Sequence, residues 1–459
     1  MTGVDTIFEP SSVILIGSSR IREKVGLSSP KLFKSVIHNM KKFFKGNIYI
    51  RDVDKEGQNI EGLMKAPELA VVMLPPEKSI VEAEKFAKMG VKAFIMITGG
   101  YKDEQRRELF ELKERYGVRI LGPNTVMGVI NTANGLNTTF ERDVMPKMGN
   151  IAIISQSGGV GACLLDWACR YKIGISKFAF MGDKIDVDDI DLLRYLAKDK
   201  ETRVICLYME GVKNGRKFIE EARKIVAEKP ILALKGGITQ ESAHRAKSHT
   251  ASMAGSDEIF NAAFKKAGII RVEDPEELMN AAIALSKQPP MFGDNIAIVS
   301  NVGGPAILAA DAVARNSLKL ARLSDETKRK IESLYPGMDA TNPIDMIADA
   351  RADRYEKVLD LVLADKNVDG VLVINMLKSC FFEPEDAKVI PRVAAKYPKK
   401  PVVDVAAGGE DFELVYGVIG ESNIPVYNLP EKGVKALKIL RAYGKILEKL
   451  GKSRKPKES

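Results

Sequence analysis

Three places in this 459-residue chain bring together residue types suited to phosphate chemistry. The first is His249, within the segment Lys235 to Asp257, KGGITQESAHRAKSHTASMAGSD. Ser248 and Thr250 flank it, small hydroxyl residues that leave an imidazole accessible and can hydrogen-bond an anion. Imidazole titrates near neutral pH, so it can accept a phosphoryl group without a separate base. His244 stands in the same segment, and a Ser/Thr-rich helix cap with an incidental histidine would have the same composition. The second place is Glu210, directly after the apolar run Arg203-Val-Ile-Cys-Leu-Tyr-Met209. A carboxylate there could accept a hydrogen bond from one ring nitrogen of a histidine, direct the other outward, and stabilise the imidazolium. A helix cap or a solvated turn acid explains Glu210 equally well. The third is a pair of glycine turns, Ser157-Gly158-Gly159 and Gly303-Gly304, each preceding an Ala/Leu-rich stretch. Helix starts of this kind present free N–H groups and a favourable dipole to a phosphate. A tight strand-to-helix turn without ligand has the same pattern.

The elements that must position these groups are legible as apolar runs. Pro230 to Leu234 reads as a buried strand before the histidine segment, and IFNAAFKKAG as a helix after it. A loop of some twenty residues between them is long for a compact domain and suits a working loop or a disordered one. Asn150-Ile-Ala-Ile-Ile-Ser-Gln-Ser-Gly158-Gly159 recurs as Asn295-Ile-Ala-Ile-Val-Ser-Asn-Val-Gly303-Gly304, offset by 145 residues. Each copy closes on a similar helix, opened by Pro275-Glu276 and by Pro430-Glu431. Two related α/β units follow, meeting near Gln288-Pro289-Pro290, where a proline pair ends the preceding helix. Ser157 adds a hydroxyl to the first glycine turn; Val302 adds nothing to the second.

Ahead of them, strands are expected at Ser12 to Ile16, Asn47 to Ile50, Leu69 to Leu74, Ala93 to Thr98 and Val118 to Leu121. Helices are expected at Ser79 to Met89 and Asp103 to Tyr116. This βαβ alternation implies a parallel sheet covered on both faces, with binding at the carboxyl ends of its strands. Gly17-Ser18-Ser19-Arg20, followed by Lys24-Val25-Gly26, suits a nucleotide diphosphate. Pro75, Thr98-Gly99 and Gly122-Pro123-Asn124 mark further strand ends, with Asn124 expected to touch substrate. The motif is not GxGxxG, and only Asp52 and Asp54 stand where a dinucleotide's ribose could be held, so an NAD domain is not expected.

Composition narrows the class. At 45% hydrophobic and 29% charged residues the chain is ordinary for a globular protein. Its net charge of +9 is dispersed among acidic residues and partly carried by the tail KILEKLGKSRKPKES, without the interleaved aromatic stripes of single-strand binders. No nucleic-acid partner is expected. No apolar run approaches the ~18 residues that span a bilayer, and MTGVDTIFEP is not a secretory signal. Cys163, Cys169, Cys206 and Cys380 form no metal-ligand spacing; reduced thiols, a cytoplasmic setting and no metal site are expected.

SQSGG, GDKIDVDDIDLLRYL, LYMEG, LKGG, SHTASMAGSDEIFNAAFKKAG and TNPIDM together resemble the α subunit of ADP-forming (NDP-forming) acetyl-CoA synthetase, an archaeal enzyme related to succinyl-CoA synthetase. The resemblance runs over most of the chain. It implies three consecutive doubly wound α/β domains. The first is a Rossmann-like CoA-binding domain over residues 1–128. Two flavodoxin-like domains follow, a phosphohistidine domain over 129–289 and a third over 290–459. It places the phosphohistidine at His249 rather than His244, its orienting glutamate at Glu210, and phosphate-binding helix starts at Ser157, Gly158, Gly159, Gly303 and Gly304. CoA contacts map to Gly17, Ser18, Ser19, Arg20, Lys24 and Val25, with Pro75, Thr98 and Gly99. It further implies acyl-CoA, phosphate and CoA as substrates. ADP, ATP and Mg²⁺ would sit on a separate ATP-grasp β subunit, in an α2β2 heterotetramer. The chain departs from the family at YIRDVDKEG, where a proline-asparagine-proline-lysine turn is usual, which leaves the adenine-side contacts open. A CoA-binding regulatory or scaffold subunit of the same fold is the alternative, and the organic acid is not legible.

Overall fold

The computed structural model describes residues 3–20, 29–55, 65–239, 241–242, 257–379 and 381–452. They divide into two compact units, Met1–Leu278 and Met279–Ser459.

The first unit holds two sheets. One is built from β1 (Ser12–Gly17), β2 (Asn47–Asp52), β3 (Leu69–Val72), β4 (Ala93–Met96) and β5 (Arg119–Leu121), in the order β2-β1-β3-β4-β5, all parallel. β3 and β4 are wholly buried, as continuous apolar strands covered on both faces should be. The helix after β3 starts at Pro76, earlier than expected, because proline's fixed φ suits the first helical position. A helix at Pro30–Phe43, not among those expected, joins β1 to β2 and buries Leu32, Phe33, Val36 and Met40 at helical spacing. Its start nonetheless carries a signal: Ser29 accepts from Leu32 N and Pro30 follows.

The second sheet comprises β6 (Val129–Asn131), β7 (Leu136–Asn137), β8 (Met148–Ser155), β9 (Ile175–Phe180), β10 (Val204–Met209), β11 (Ile231–Lys235) and β12 (Ile270–Val272). Its order is β12-β11-β10-β8-β9-β6-β7, parallel from β12 to β9, with β6 and β7 added antiparallel at one edge. That short ribbon carries too few residues for its alternation to show in the sequence.

The two sheets are joined by charge pairs and main-chain contacts. The Arg119 guanidinium donates to Asp186 and to Asp191, each at 2.8 Å, and Ile120 N also donates to Asp186. Arg106 donates through Nε and Nη2 to Asp183. Phe8 stacks on Tyr195 with ring centres 4.5 Å apart, and the Tyr195 hydroxyl donates to Glu9. The acidic run GDKIDVDDID thus serves as a clasp onto the first sheet.

The second unit contains β13 (Asn295–Ser300), β14 (Lys319–Leu320), β15 (Ile344–Asp345), β16 (Gly370–Asn375), β17 (Val402–Ala406) and β18 (Val426–Tyr427). The order is β14-β13-β16-β17-β18, with β15 paired to the end of β13. Tyr355 lies fully inside this core and its hydroxyl donates to Ile374 O. Gln288 is spent locally, accepting from Val402 N and donating to Asn423 O. Counted along each parallel run, all three sheets read 2-1-3-4-5, so the expected doubly wound α/β architecture is present three times. In that order the first strand ends at the switch point where ligands are received. Those ends are Gly17, Ser155 and Ser300.

Among the described residues no helix is long and apolar enough to cross a membrane.

Candidate active site

At the end of β8 the chain turns through Ser155-Gln156-Ser157 into the helix Gly158–Arg170. Ser157 caps that helix, its side chain accepting from Val160 N, and Ser155 Oγ donates to Ser157 O. A Cβ on Gly159 would meet no atom within 4 Å, so packing inside the chain does not require glycine there. Gly158 has only ordinary contacts, with Phe180 and Met127. The helix start is therefore open beside Gly159, and the N–H groups at such a start suit an anion.

β13 repeats this arrangement. Ser300 Oγ donates to Val302 O, the helix Gly303–Arg315 begins at the glycine pair, and Gly304 again faces open space. Val302 supplies no side-chain cap. The two turns also share a device at the neighbouring strand. Gln156 Oε1 accepts from Glu210 N and Gly211 N, at 2.7 and 3.1 Å, fixing the turn after β10. Asn301 Oδ1 accepts from Met376 N at 3.0 Å, and Asn301 Nδ2 donates to Met376 O. Met376 therefore stands where Glu210 stands, and the second copy has the frame without the carboxylate.

Glu210 is half-buried at the carboxyl end of β10. The Tyr208 hydroxyl donates to its Oε1 at 3.3 Å, and burial together with the Glu210 charge pushes the phenol up to about 12. β11 pairs beside β10 with Lys235 in register with Met209, which sets Lys235 one strand from the Glu210 turn. Lys235 is 5% exposed, lies 4.6 Å over the Phe260 ring, and is held below the usual lysine range by burial, with the carboxylates of Asp257 and Glu210 opposing. Gly236 follows, where a Cβ would collide with the Tyr208 hydroxyl. The segment that carries His249 and His244 begins here, and both histidines lie outside the described residues. It ends at Asp257, the first residue of the helix Asp257–Ala267, where Arg271 holds the Asp257 carboxylate at 2.7 and 3.0 Å. Its first end thus lies beside the Glu210 turn, and its last residue is tied to β12 two strands away.

The first sheet is less open than its sequence implies. Ser18 Oγ donates to Asp54, Ser19 N to Asp52 Oδ1 at 3.1 Å, and Arg20 N to Asp54 Oδ2 at 2.8 Å. The turn's donors are therefore engaged by two carboxylates at the end of β2. Burial works against the Asp52 charge, but hydrogen bonds from Ser19 and the Asp54 amide hold its carboxyl below the usual range. Gly17 has a packing reason, since a Cβ there would strike the Phe33 ring. Lys24 and Val25 lie outside the described residues. Pro75 precedes the helix that begins at Pro76. Thr98 is buried, its hydroxyl donating to Leu74 O. Gly99 passes so close to Asn124 that a Cβ would lie 2.7 Å from the amide oxygen. Asn124 adopts φ +65° and donates to Asp183 Oδ1 at 3.3 Å, joining the β5 end to the loop after β9. The structure so brings Ser157, Gly158, Gly159 and Glu210 to the carboxyl ends of two adjacent central strands of the second sheet. Gln156, Tyr208 and Lys235 belong there too; they lie within SQSGG, LYMEG and LKGG, yet nothing in those motifs assigned them a role.

Among the described residues no cluster of three His, Cys, Asp or Glu side chains could hold a metal ion.

Comparison with known proteins bears on the whole chain. Residues 148–285 match the succinyl-CoA ligase like flavodoxin domain, and residues 296–445 match the ligase-CoA domain. The α subunit of acetate–CoA ligase [ADP-forming] II from Pyrococcus furiosus is 35% identical over 93% of this chain and 95% of its own length. Acetate–CoA ligase [ADP-forming] I from Archaeoglobus fulgidus is 35% identical over 97% of this chain, which spans 64% of it. A dinucleotide-forming acetyl-coenzyme A synthetase 1 from Ca. Korarchaeum cryptofilum, solved with phosphate and ADP, superposes with a TM-score of 0.88 at 30% identity over the full length of both chains.

Proposed function

Because the chain belongs to the family of ADP-forming acetate–CoA ligase α subunits, we propose that it performs the acyl and phosphoryl half of the reaction acyl-CoA + ADP + Pi ⇌ acid + ATP + CoA. Inorganic phosphate attacks the thioester carbonyl, the C–S bond breaks, and CoA leaves as the thiol. The acyl phosphate then gives its phosphoryl group to an imidazole nitrogen of His249, releasing the carboxylate acid. Phosphohistidine finally passes that group to ADP.

The observation that carries this reading is the shared carboxyl end of adjacent central strands in the second sheet. An open helix start at Ser157-Gly158-Gly159 and the carboxylate of Glu210 follow the ends of β8 and β10, and the segment bearing His249 begins at the end of the neighbouring β11. The helix start suits a phosphate and the carboxylate suits the imidazolium formed when phosphate is gained. Gly303-Gly304 serves phosphate on the second unit, without an orienting acid of its own. Acyl-CoA binds at the first sheet's strand ends, through the Gly17 to Val25 turn, Pro75, Thr98 and Gly99, with Asn124 toward the acyl group. The nucleotide and its Mg²⁺ belong to an ATP-grasp β subunit, and the assembly is α2β2 in the cytoplasm.

The test is Glu210→Gln, which keeps the shape and removes the charge. A charge-assisted hydrogen bond contributes roughly 1.5–3 kcal/mol, so labelling of His249 should slow by about one to two orders of magnitude. CoA binding and melting temperature should hardly change. Normal labelling with lost stability would make Glu210 a turn residue and remove half of the catalytic pair.

A further inference from the structure

Behind Glu210 lies a polar group that the reaction scheme does not use. Gln156 is 4% exposed and all its hydrogen-bonding capacity is spent. Oε1 takes the N–H groups of Glu210 and Gly211; Nε2 donates to Asp189 Oδ1 at 2.6 Å and to Gly211 O at 2.9 Å. Asp189 and Lys184, each 3% exposed, form an ion pair at 3.1 Å, and Lys184 Nζ donates as well to Gly211 O at 3.1 Å. The Gly211 carbonyl thus receives two donors and the two N–H groups before it share one acceptor. Lys184 itself takes φ +53°, unusual for a side chain that long, and Lys213 Nζ donates to its carbonyl.

Burying an ion pair costs desolvation and is weak support for stability, so its use is better sought in what it holds still. What it holds is the Glu210–Gly211 turn. The second unit supplies an internal comparison. Asn301 fixes Met376 with the same amide device, and there Asp411, 1% exposed, accepts from Leu377 N at 2.8 Å while Lys378 pairs with Glu410 at 2.6 Å and with Asp411 at 3.7 Å. Both turns are thus held from behind by carboxylates, but at Glu210 the buried Lys184–Asp189 pair acts through Gln156 and the Gly211 carbonyl. The residues that supply it, Lys184 and Asp189, sit on the loop whose Asp183 and Asp186 grip Arg106, Asn124 and Arg119 of the first sheet.

We infer that Gln156, Lys184 and Asp189 are positioning residues that fix Glu210 for phosphoryl transfer to His249, an inference that rests on the role of Glu210 proposed above. None of the three touches substrate. They set where the Glu210 backbone lies, and so where its carboxylate meets the imidazole. A misplacement of about 1 Å is enough to cost up to a hundredfold in rate.

The experiment uses the full chain with acetyl-CoA and ³²P-phosphate, and compares Gln156→Met, Asp189→Asn and Glu210→Gln, alone and in pairs. Asp189→Asn is near-isosteric and keeps an acceptor for Gln156, so it serves if Gln156→Met does not fold. Each positioning variant should slow labelling at saturating acetyl-CoA by about tenfold, with KM for acetyl-CoA within about twofold. On the Glu210→Gln background that loss should largely disappear, because residues acting through one group are not additive. Wild-type labelling rates in folded Gln156→Met or Asp189→Asn, with or without a lowered melting temperature, would overturn the inference. So would a full tenfold loss added to that of Glu210→Gln. A wild-type rate in Glu210→Gln itself would instead remove the proposed role of Glu210.

Discussion

Asp404, in the middle of β17, is fully buried, and burial pushes its carboxyl up to about 7 despite a hydrogen bond from Asn375 Nδ2 at 2.7 Å. Two further atoms of this pair, Asp404 Oδ2 and Asn375 Oδ1, are buried with no hydrogen-bond partner among the described residues. A proton on Oδ2 gives the pair the donor it lacks, so the neutral acid suits the site. An unfolded aspartate titrates at 3.8, well below the folded group. The folded state therefore holds the proton more tightly, and stability from this group is complete below pH 3.8. It falls as pH rises toward 7 and is flat above. A shift of about three units at roughly 1.4 kcal/mol each is on the order of 4 kcal/mol. Asp404→Asn supplies the missing donor at every pH. Calorimetry of the full chain and the variant at matched pH isolates the effect, since other titrating groups cancel in the difference. Near pH 4 the two should melt together. At pH 8 the variant should melt higher by on the order of 10 °C in the transition of the second unit. A variant that loses stability equally at both pH values, or more at pH 8, would show that Asp404 is ionised in the fold and refute the reasoning.

Two more expectations concern substrates. Asp54→Asn should tighten CoA binding by about threefold to tenfold, because about 1 kcal/mol of like-charge repulsion with a phosphate is removed at the Ser18–Arg20 turn; unchanged affinity by calorimetry would place the phosphates elsewhere. The purified chain should make no ATP from acetyl-CoA, ADP and phosphate, since it has no glycine-rich lysine loop for a triphosphate; ATP formed by the verified single chain would reject the division of labour.

What could be read from the residues was whatever lies within a few positions along the chain. Apolar runs ending in glycine or an acid located β8, β10 and β13, and the repeated glycine pair located the two helix starts. Glu210 was visible because it terminates a strand. Gln156 and Lys184 were not, because the Gly211 carbonyl they share stands 55 and 27 residues away and no local pattern encodes such contacts. The same limit applies to Asp183, Asp186 and Asp191, which look like a solvated acidic run until Arg106 and Arg119 are placed opposite them. Ser18 and Ser19 show the reverse case. Their residue types invite a phosphate, yet Asp52 and Asp54, over thirty residues on, already take their donors.

The central claim is that His249 carries the phosphoryl group, and labelling of the intact chain tests it most directly. Incubation with acetyl-CoA and ³²P-phosphate should leave an acid-labile, base-stable label on the protein, as expected of a phosphoramidate. His249→Ala should abolish that label and His244→Ala should retain it. A label that survives His249→Ala, or that vanishes only with His244→Ala, would contradict the account.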